Sequence, residues 1–436
     1  MHLYNSGGRK NHRRVETEGM AIQIMEGKIK MKKLIPVLLV LVAHLAISSL
    51  RAQVRMQMPV GTYEFSNKNT STVLPFKLKD NLVVVDIELN EITMNLVLDS
   101  GMPFDGVLLH GSSKVDSAKL SFSSKMPIRG IGGDPVLSDV CMGATFKVPS
   151  LIFSNQMIVV VPHDPERSRH FEGQDGAIGF SFFGHLIVSI DYEKQLITLS
   201  QPGSIKADLG QKIPVAVRSN RIFAKGDVEL GNGTTIPGEF VIDLGNSSAV
   251  TLNTGSRNDL KLPERTISYY ARGLTSRIGR KMGRIKSFRI GGFQLDNVLS
   301  SFHDGSEGPT PPWEKEGAIG SQILSRFNVT FDIPGGQIFL KKNGLFDEPF
   351  EYNMAGIQVE RAADKNMTVI NVIPGSPADK HIRIGDTITM VNDKPTSQMT
   401  KDEFEKIFRR QGSEISLVIE RLGEKIKAKL KLERII

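Results

Sequence analysis

Two aspartates, each at the end of an apolar stretch, are the residues of this chain best suited to chemistry. Asp99 lies in the segment NLVLDSG, and Asp243 lies in the segment GEFVIDLG. An apolar β run that stops at an acidic residue and a glycine predicts a strand that presents a carboxylate on a turn. The same pattern also closes ordinary hairpins, so neither aspartate is informative alone.

A second pair of segments repeats behind the two aspartates in the same order. DGAIGFSFFGHLIVSIDYEKQLITL begins at Asp175, and EGAIGSQILSRFNVTFDIPGGQIFL begins at Glu316. Each segment follows its aspartate at nearly the same distance along the chain. Two ordered pairs indicate a diverged internal duplication, in which Asp99 and Asp243 hold equivalent positions.

The elements that must position these aspartates are short strands. Both repeats consist of β-favouring runs separated by turn residues, and no long helical period interrupts them. We therefore expect an all-β fold with two homologous β-barrel-like lobes, at residues 53–202 and 203–345. A polar, turn-rich linker after the second lobe indicates a separate module at residues 346–436.

A glycine cluster lies between the first aspartate and its Ala-Ile-Gly segment. It contains Gly130, Ile131, Gly132 and Gly133. Glycine-rich turns bounded by β runs are typical of hairpin tips, and we expect this one to be a mobile flap over a groove. A plain hairpin turn is the alternative. The order of strand, glycine loop and helix that phosphate binding requires is missing.

The chain has 436 residues and a net charge of +8, and its excess of basic residues is concentrated at the front. The remainder is close to charge balance, which argues against a nucleic-acid-binding surface. Residues 1–30 show no periodicity and are interpreted as an upstream extension or a disordered tail. Residues 31–52 combine a basic start, an apolar middle and a small residue near the expected cleavage site, which predicts a signal peptide. We expect a periplasmic or secreted protein with no membrane span after cleavage; a retained membrane anchor is the alternative.

The cysteine and histidine residues limit which kinds of bond and metal site the chain can form. Cys141 is the sole cysteine, so an intramolecular disulfide is impossible. The nine histidines show no spacing typical of a metal site. We therefore expect neither a metal nor a cofactor.

The two aspartate segments and the two Ala-Ile-Gly segments resemble the lobes of retropepsin and pepsin-like aspartic proteases. In that family each lobe donates one aspartate to a shared centre, so the resemblance implies Asp99 and Asp243 as the catalytic pair. It also implies that Ser100, Gly101 and Gly245 support the pair. Leu244 departs from the pattern, because the family usually has a serine or threonine there.

Two carboxylates held close together cannot both ionise, so one keeps a proton. The ionised partner can activate a water while the protonated one donates to the peptide carbonyl. The resemblance therefore implies an aspartic endopeptidase acting on peptides or proteins. Since a leucine at position 244 cannot form hydroxyl hydrogen bonds, a catalytically inactive, peptide-binding scaffold is the alternative.

The C-terminal module resembles a bacterial-type PDZ domain. The resemblance rests on segments that contain Gly375-Ser376-Pro377-Ala378, Ile384-Gly385-Asp386 and Val391-Asn392-Asp393. It implies that the loop of Ala355, Gly356 and Ile357 holds the terminal carboxylate of a bound peptide. The expected partners are a peptide or protein substrate and a C-terminal peptide ligand, and no nucleic acid.

A chymotrypsin-like PDZ protease is a further alternative, because Gly245-Asn246-Ser247 is similar to a nucleophile loop. Ser248 and Ala249 stand where backbone N–H groups for an oxyanion hole would need glycines. No upstream histidine has a setting typical of a general base. The aspartate pair is therefore the preferred interpretation.

Overall fold

The computed structural model describes residues 61–436, apart from residues 103–104, 132, 166–170, 172, 205–207, 275, 306–315 and 363. The predicted upstream extension (1–30) and signal peptide (31–52) lie outside the described residues. Strands dominate the described chain, and the longest helix described has 7 residues. No helix of these residues is long and apolar enough to cross a membrane. The all-β prediction is confirmed.

Within the described residues, the first lobe contains eleven strands, one 3₁₀ turn and two short helices. The strands are β1 (Thr62–Phe65), β2 (Ser71–Lys79), β3 (Leu82–Leu89), β4 (Ile92–Leu98), β5 (Val107–His110), β6 (Ser124–Ile128), β7 (Val136–Val148), β8 (Leu151–Val161), β9 (Gly176–Ile178), β10 (Ile187–Asp191) and β11 (Leu196–Ser200). The 3₁₀ turn is Ser66–Lys68, and the helices are α1 (Ser113–Ser117) and α2 (Phe180–Phe183).

The second lobe follows the same plan, with ten strands and one helix in the part that the structure describes. Its strands are β12 (Gln211–Arg218), β13 (Arg221–Glu229), β14 (Thr235–Asp243), β15 (Val250–Asn253), β16 (Thr266–Arg272), β17 (Arg277–Ile290), β18 (Phe293–His303), β19 (Gly317–Gly320), β20 (Phe327–Asp332) and β21 (Gln337–Lys342). Its helix is α3 (Ser321–Leu324).

Equivalent strands pair in the same way in both lobes. The strand that ends at the aspartate lies parallel to the Ala-Ile-Gly strand, β4 with β9 and β14 with β19. The next strand, β5 or β15, runs antiparallel to that same partner. It also lies parallel to the long strand β8 or β18. This shared topology confirms the two homologous lobes that the repeats predict.

A row of six strands joins the two lobes. Its order is β2, β11, β10, β20, β21, β12, and every neighbouring pair is antiparallel. The lobes meet in the middle of this row, where Ile187 pairs with Asp332 and Ile190 pairs with Val329. Phe183 and Phe331 pack edge to face across the same junction, with ring centroids 4.9 Å apart. One continuous hydrophobic core therefore spans both lobes, and Cys141 is buried in it.

The C-terminal module has a core of its own. Its strands are β22 (Ile357–Arg361), β23 (Met367–Val372), β24 (Thr387–Val391), β25 (Lys394–Pro395), β26 (Glu414–Arg421) and β27 (Glu424–Lys431). A 3₁₀ turn (Thr396–Gln398) leads into α4 (Lys401–Ile407). Thr400 and Glu403 form a capping box at the start of α4, and Phe404 anchors the helix in the core.

Candidate active site

Both aspartates stand on turns that follow a buried strand. The backbone N–H of Asp99 donates to the Ile178 carbonyl at 2.8 Å, which continues the parallel pairing of β4 with β9. The Gly101 N–H donates to Oδ1 of Asp99 at 2.8 Å, and the Gly245 N–H donates to Oδ1 of Asp243 at 2.9 Å. The same local hydrogen bond therefore orients each carboxylate on its own turn.

The Ala-Ile-Gly glycines explain why that motif accompanies each aspartate. A Cβ on Gly179 would lie 2.7 Å from the carbonyl oxygen of Asp99. A Cβ on Gly320 would lie 2.2 Å from the carbonyl oxygen of Ser248, on the loop after Asp243. Real Cβ atoms do not approach backbone oxygens so closely. Only glycine lets these strands press against the two aspartate turns.

The structure brings Asp99 and Asp243 together where the lobes meet. The two side chains share a hydrogen bond. A Cβ on Gly101 would lie 2.6 Å from Oδ1 of Asp243, and a Cβ on Gly245 would lie 2.5 Å from Cγ of Asp99. Each carboxylate thus covers the glycine of the opposite turn. Both turns need a glycine for this approach, and the arrangement has pseudo-twofold symmetry.

Burial is the largest influence on the ionisation of Asp99. It raises the pKa of that carboxyl above the ordinary value of 3.8. The N–H groups of Gly101 and Met102, the hydrogen bond to Asp243 and the positive charge of Arg221 act in the opposite direction but do not cancel it. A buried carboxyl whose pKa is raised beside a second carboxyl holds the shared proton that acid–base chemistry requires.

Ser100 crosses from the first lobe to the second. Its hydroxyl donates to the Ile242 carbonyl at 2.7 Å and accepts from the Leu244 N–H at 3.0 Å. Leu244 has no hydroxyl with which to return this contact, and its side chain is fully buried in the hydrophobic core. Instead, Ser321 of its own lobe donates to the Leu244 carbonyl at 2.8 Å. The support of the pair is therefore asymmetric.

Two hairpin tips meet near the aspartates. Gly130, Ile131 and Gly133 lie in the turn between β6 and β7, and the equivalent turn of the second lobe lies between β16 and β17. A Cβ on Gly130 would lie 2.2 Å from Cβ of Leu274, and one on Gly273 would lie 2.1 Å from the Ile131 carbonyl oxygen. The tips are therefore in contact. Gly132 lies outside the described residues, and the flap role of the cluster stays a prediction.

The loop before β22 has its own hydrogen bonds. The Ala355 N–H donates to Oδ1 of Asn353 at 3.0 Å, and the Gly356 N–H donates to the Asn353 carbonyl at 3.2 Å. Gly356 has a left-handed backbone with φ of 79°. Ala355 and Ile357 are fully buried. The peptide-binding role of these three residues stays a prediction.

The C-terminal module contacts the second hairpin and the β2–β3 turn. The side-chain amide of Gln358 accepts from the Tyr270 N–H and donates to the Tyr270 carbonyl, both at 2.8 Å. Asp80 forms ion pairs with Lys401 of α4 at 2.9 Å and with Arg272 of β16 at 3.2 Å. These contacts fix the module beside the site.

Sequence reasoning missed Arg221, Asn353 and the ion pairs of Asp80. None of these residues belongs to a motif, and each gains its role from contacts between segments far apart in the chain. The turn of Arg272, Gly273 and Leu274, in contrast, has a sequence signal, because its glycine matches those of the first hairpin. Within the described residues, no group of three or more histidine, cysteine, aspartate or glutamate side chains could hold a metal ion.

Comparison with known proteins supports the modular division. The family model of the PDZ domain matches residues 348–420. Among solved structures, the crystal structure of aspartic proteinase from Irpex lacteus matches with a TM-score of 0.40 and 13% sequence identity, over 64% of this chain and 99% of that chain. No curated protein matches. The chain therefore carries a C-terminal PDZ domain, as its sequence predicts, behind the two all-β lobes.

Proposed function

We propose that this protein is an exported aspartic endopeptidase in which Asp99 and Asp243 hydrolyse peptide bonds by water attack. The observation that carries the proposal is the mutual approach of the two carboxylates, which share a hydrogen bond and cover each other's glycines. A pair of this kind holds one proton between two acids, and water can be activated by the ionised member.

The chemistry follows from the geometry without a covalent intermediate. The ionised carboxylate takes a proton from a water molecule, and the resulting hydroxide attacks the carbonyl carbon of the peptide. The protonated carboxyl donates its proton to the carbonyl oxygen. The tetrahedral intermediate then collapses: the carboxyl that took the proton from water gives it to the leaving nitrogen, the C–N bond breaks, and one hydroxyl of the intermediate returns a proton to the other carboxylate. The titration belongs to the pair, so neither role is assigned to one aspartate.

The test is cleavage of a peptide library by the exported chain from about pH 3 to about pH 8, around the range in which carboxyl pairs titrate. We expect Asp99→Asn and Asp243→Asn each to lower kcat/KM by at least about a hundredfold, since each removes one acid–base group. Asp296→Asn changes an exposed aspartate and serves as the control. Cleavage that survives both substitutions would remove the aspartate pair from the mechanism.

A second candidate function is a scaffold that binds peptides without cleaving them. Leu244 favours it, because the hydroxyl that would tie the second turn to the first is absent. This candidate predicts retention of library peptides with no cleavage at any pH and no effect of Asp99→Asn on retention. Turnover that disappears with either aspartate would exclude it.

Export is the part of the proposal that rests on residues 31–52. We expect the mature protein to begin near Gln53 in the periplasm or the medium. Intact-mass measurement of the protein from the periplasmic and extracellular fractions tests this. A mature protein that keeps residues 31–52 and sediments with membranes would point to the retained anchor instead.

A further inference from the structure

One cavity of about 990 Å³ reaches from the Asp243 turn to the PDZ domain. Near the aspartates its lining includes Asp243 and Gly245, and at the far end it includes Gln358 of β22 and Glu405 of α4. The space beside Asp243 and the space between β22 and α4 are thus continuous.

The β2–β3 turn connects the two ends of this cavity. Asn81 donates through its side chain to the Ser247 carbonyl at 3.4 Å, on the loop that follows Asp243. The neighbouring Asp80 is paired with Lys401 of α4 at 2.9 Å. One short turn therefore contacts both the aspartate loop and the PDZ helix, and it lines the path between them.

The PDZ end of the cavity has the form of an extended-peptide site. β22 pairs antiparallel with β23 on one side, and residues of β22 and α4 line the cavity together. An edge strand beside a helix can bind an extended chain through its backbone. A free C-terminus would need, in addition, N–H donors from the loop before β22.

Asn353 accepts hydrogen bonds from the N–H groups of that loop. The side chain and carbonyl of Asn353 already accept the N–H groups of Ala355 and Gly356. Its amide nitrogen donates to Oε2 of Glu405 at 3.2 Å, and Asn353 itself is only 2% exposed. Two donors that a terminal carboxylate would use are therefore taken, and an acidic side chain is held at the same end of the groove. A second carboxylate there would lack donors and would be repelled whenever Glu405 is ionised.

We propose that the β22–α4 groove is an extension of the substrate cleft that takes an internal, extended segment of the polypeptide, not its C-terminus. The inference rests on the proposed function, because the segment bound in the groove is the part of the substrate next to the peptide bond that Asp99 and Asp243 would cleave. An unfolded segment can thread through such a groove without presenting an end. Binding energy gained there is available to position the scissile bond.

The test is a binding measurement on the full chain with Asp99→Asn, so that turnover does not consume the probe. The probe is the tightest-binding peptide selected from a random library of about 20 residues, long enough to span more than one subsite when extended. It is prepared with a free C-terminal carboxylate, with a C-terminal amide, and between two folded fluorescent proteins. We expect the three dissociation constants to agree within about threefold.

A free acid that binds about tenfold or more tightly than both other forms would overturn the inference. A library from which no peptide binds would overturn it too. Cleavage is scored separately on the unsubstituted chain with the same three probes. If the three probes bind equally but none is cleaved, only the proposed function is contradicted. If cleavage occurs only on the probe with a free C-terminus, only this inference is contradicted.

The Asn353→Ala variant locates the site. It removes the Oδ1 that accepts the Ala355 N–H and the amide that binds Glu405, so the Ala355 N–H becomes available and we expect the free acid to gain at least about fivefold over the amide. Asn366→Ala removes a comparable side-chain cluster with Asp364 and Thr396 in the same domain, away from the cavity, and is the matched control. Both variants are first compared with the parent by thermal melting. A folded Asn353→Ala variant whose acid and amide affinities stay equal would contradict the role of Asn353.

Discussion

At the scale of single residues, the site combines a symmetric pair of carboxylates with asymmetric support. At the aspartate turns, the Ser100 hydroxyl crosses from the first lobe to the second, while Leu244 packs into the core and its carbonyl accepts from Ser321. The stability of the second turn therefore comes from apolar burial rather than from a reciprocal hydrogen bond. The exact placement of the pair depends heavily on Ser100.

Ser100→Ala should weaken both folding and catalysis. The change leaves the buried Leu244 N–H and Ile242 carbonyl without their partner, which costs about 1–3 kcal/mol of unfolding free energy. It also releases the aspartate turns from each other, so we expect kcat to fall more than KM rises. Ser321→Ala is the control, because it removes a buried hydroxyl bond to Leu244 within one lobe. Equal kcat in the two variants would contradict the special role of Ser100.

The raised pKa of Asp99 makes a prediction about stability and pH. Because burial raises this pKa above 3.8, the folded protein keeps a proton that the unfolded chain releases. This contribution to stability is fully present below about pH 3.8 and is lost as pH rises through the folded-state pKa. Asp99→Asn cannot lose it, so the melting temperature of the variant relative to the parent should increase from acidic to neutral pH. A constant difference across that range would argue against the raised pKa.

At the scale of elements, the two hairpins touch at their tips. Gly273→Ala places a Cβ where the Ile131 carbonyl oxygen lies 2.1 Å away, so one tip must withdraw. We expect KM to rise by about tenfold, since closure of such elements retains the substrate. Gly231→Ala is the control, because a Cβ there meets nothing within 4 Å. Unchanged KM in Gly273→Ala would show that tip contact is not needed for binding.

The sequence could predict what local patterns encode. The aspartate turns and the Ala-Ile-Gly strands are each marked by a short pattern of neighbouring residues. Each pattern occurs twice in the chain, so the two lobes were predictable. The contact of Gly130 with Leu274 and that of Gln358 with Tyr270 join segments far apart in the chain. Such contacts depend on how whole strands and hairpins pack against each other, and no local residue pattern predicts them.

At the scale of the whole molecule, Asp80 fastens the PDZ domain to the lobes. Burial acts to raise the pKa of Asp80, but the charges of Lys401 and Arg272 hold it below the ordinary value of 3.8. These pairs therefore contribute stability above that pH and lose it as pH falls through the lower, folded-state pKa.

Asp80→Asn should loosen the PDZ domain without unfolding it. Loss of charge-assisted bonds to Lys401 and Arg272 costs about 1.5–3 kcal/mol, and we expect faster hydrogen exchange in α4 and β16. Asp86→Asn removes a more exposed pair with Lys77 and is the matched control. Exchange that is unchanged in Asp80→Asn would show that other contacts hold the domain.

The row of six strands has a consequence for the origin of the molecule. Its central pairing, β10 with β20, joins equivalent strands of the two lobes in antiparallel order. An antiparallel pair of equivalent strands is what two identical subunits form around a twofold axis. A gene encoding one lobe could thus have yielded a homodimer with a serine behind each aspartate. Within a single chain the equivalent positions of the two lobes can differ, as Ser100 and Leu244 do.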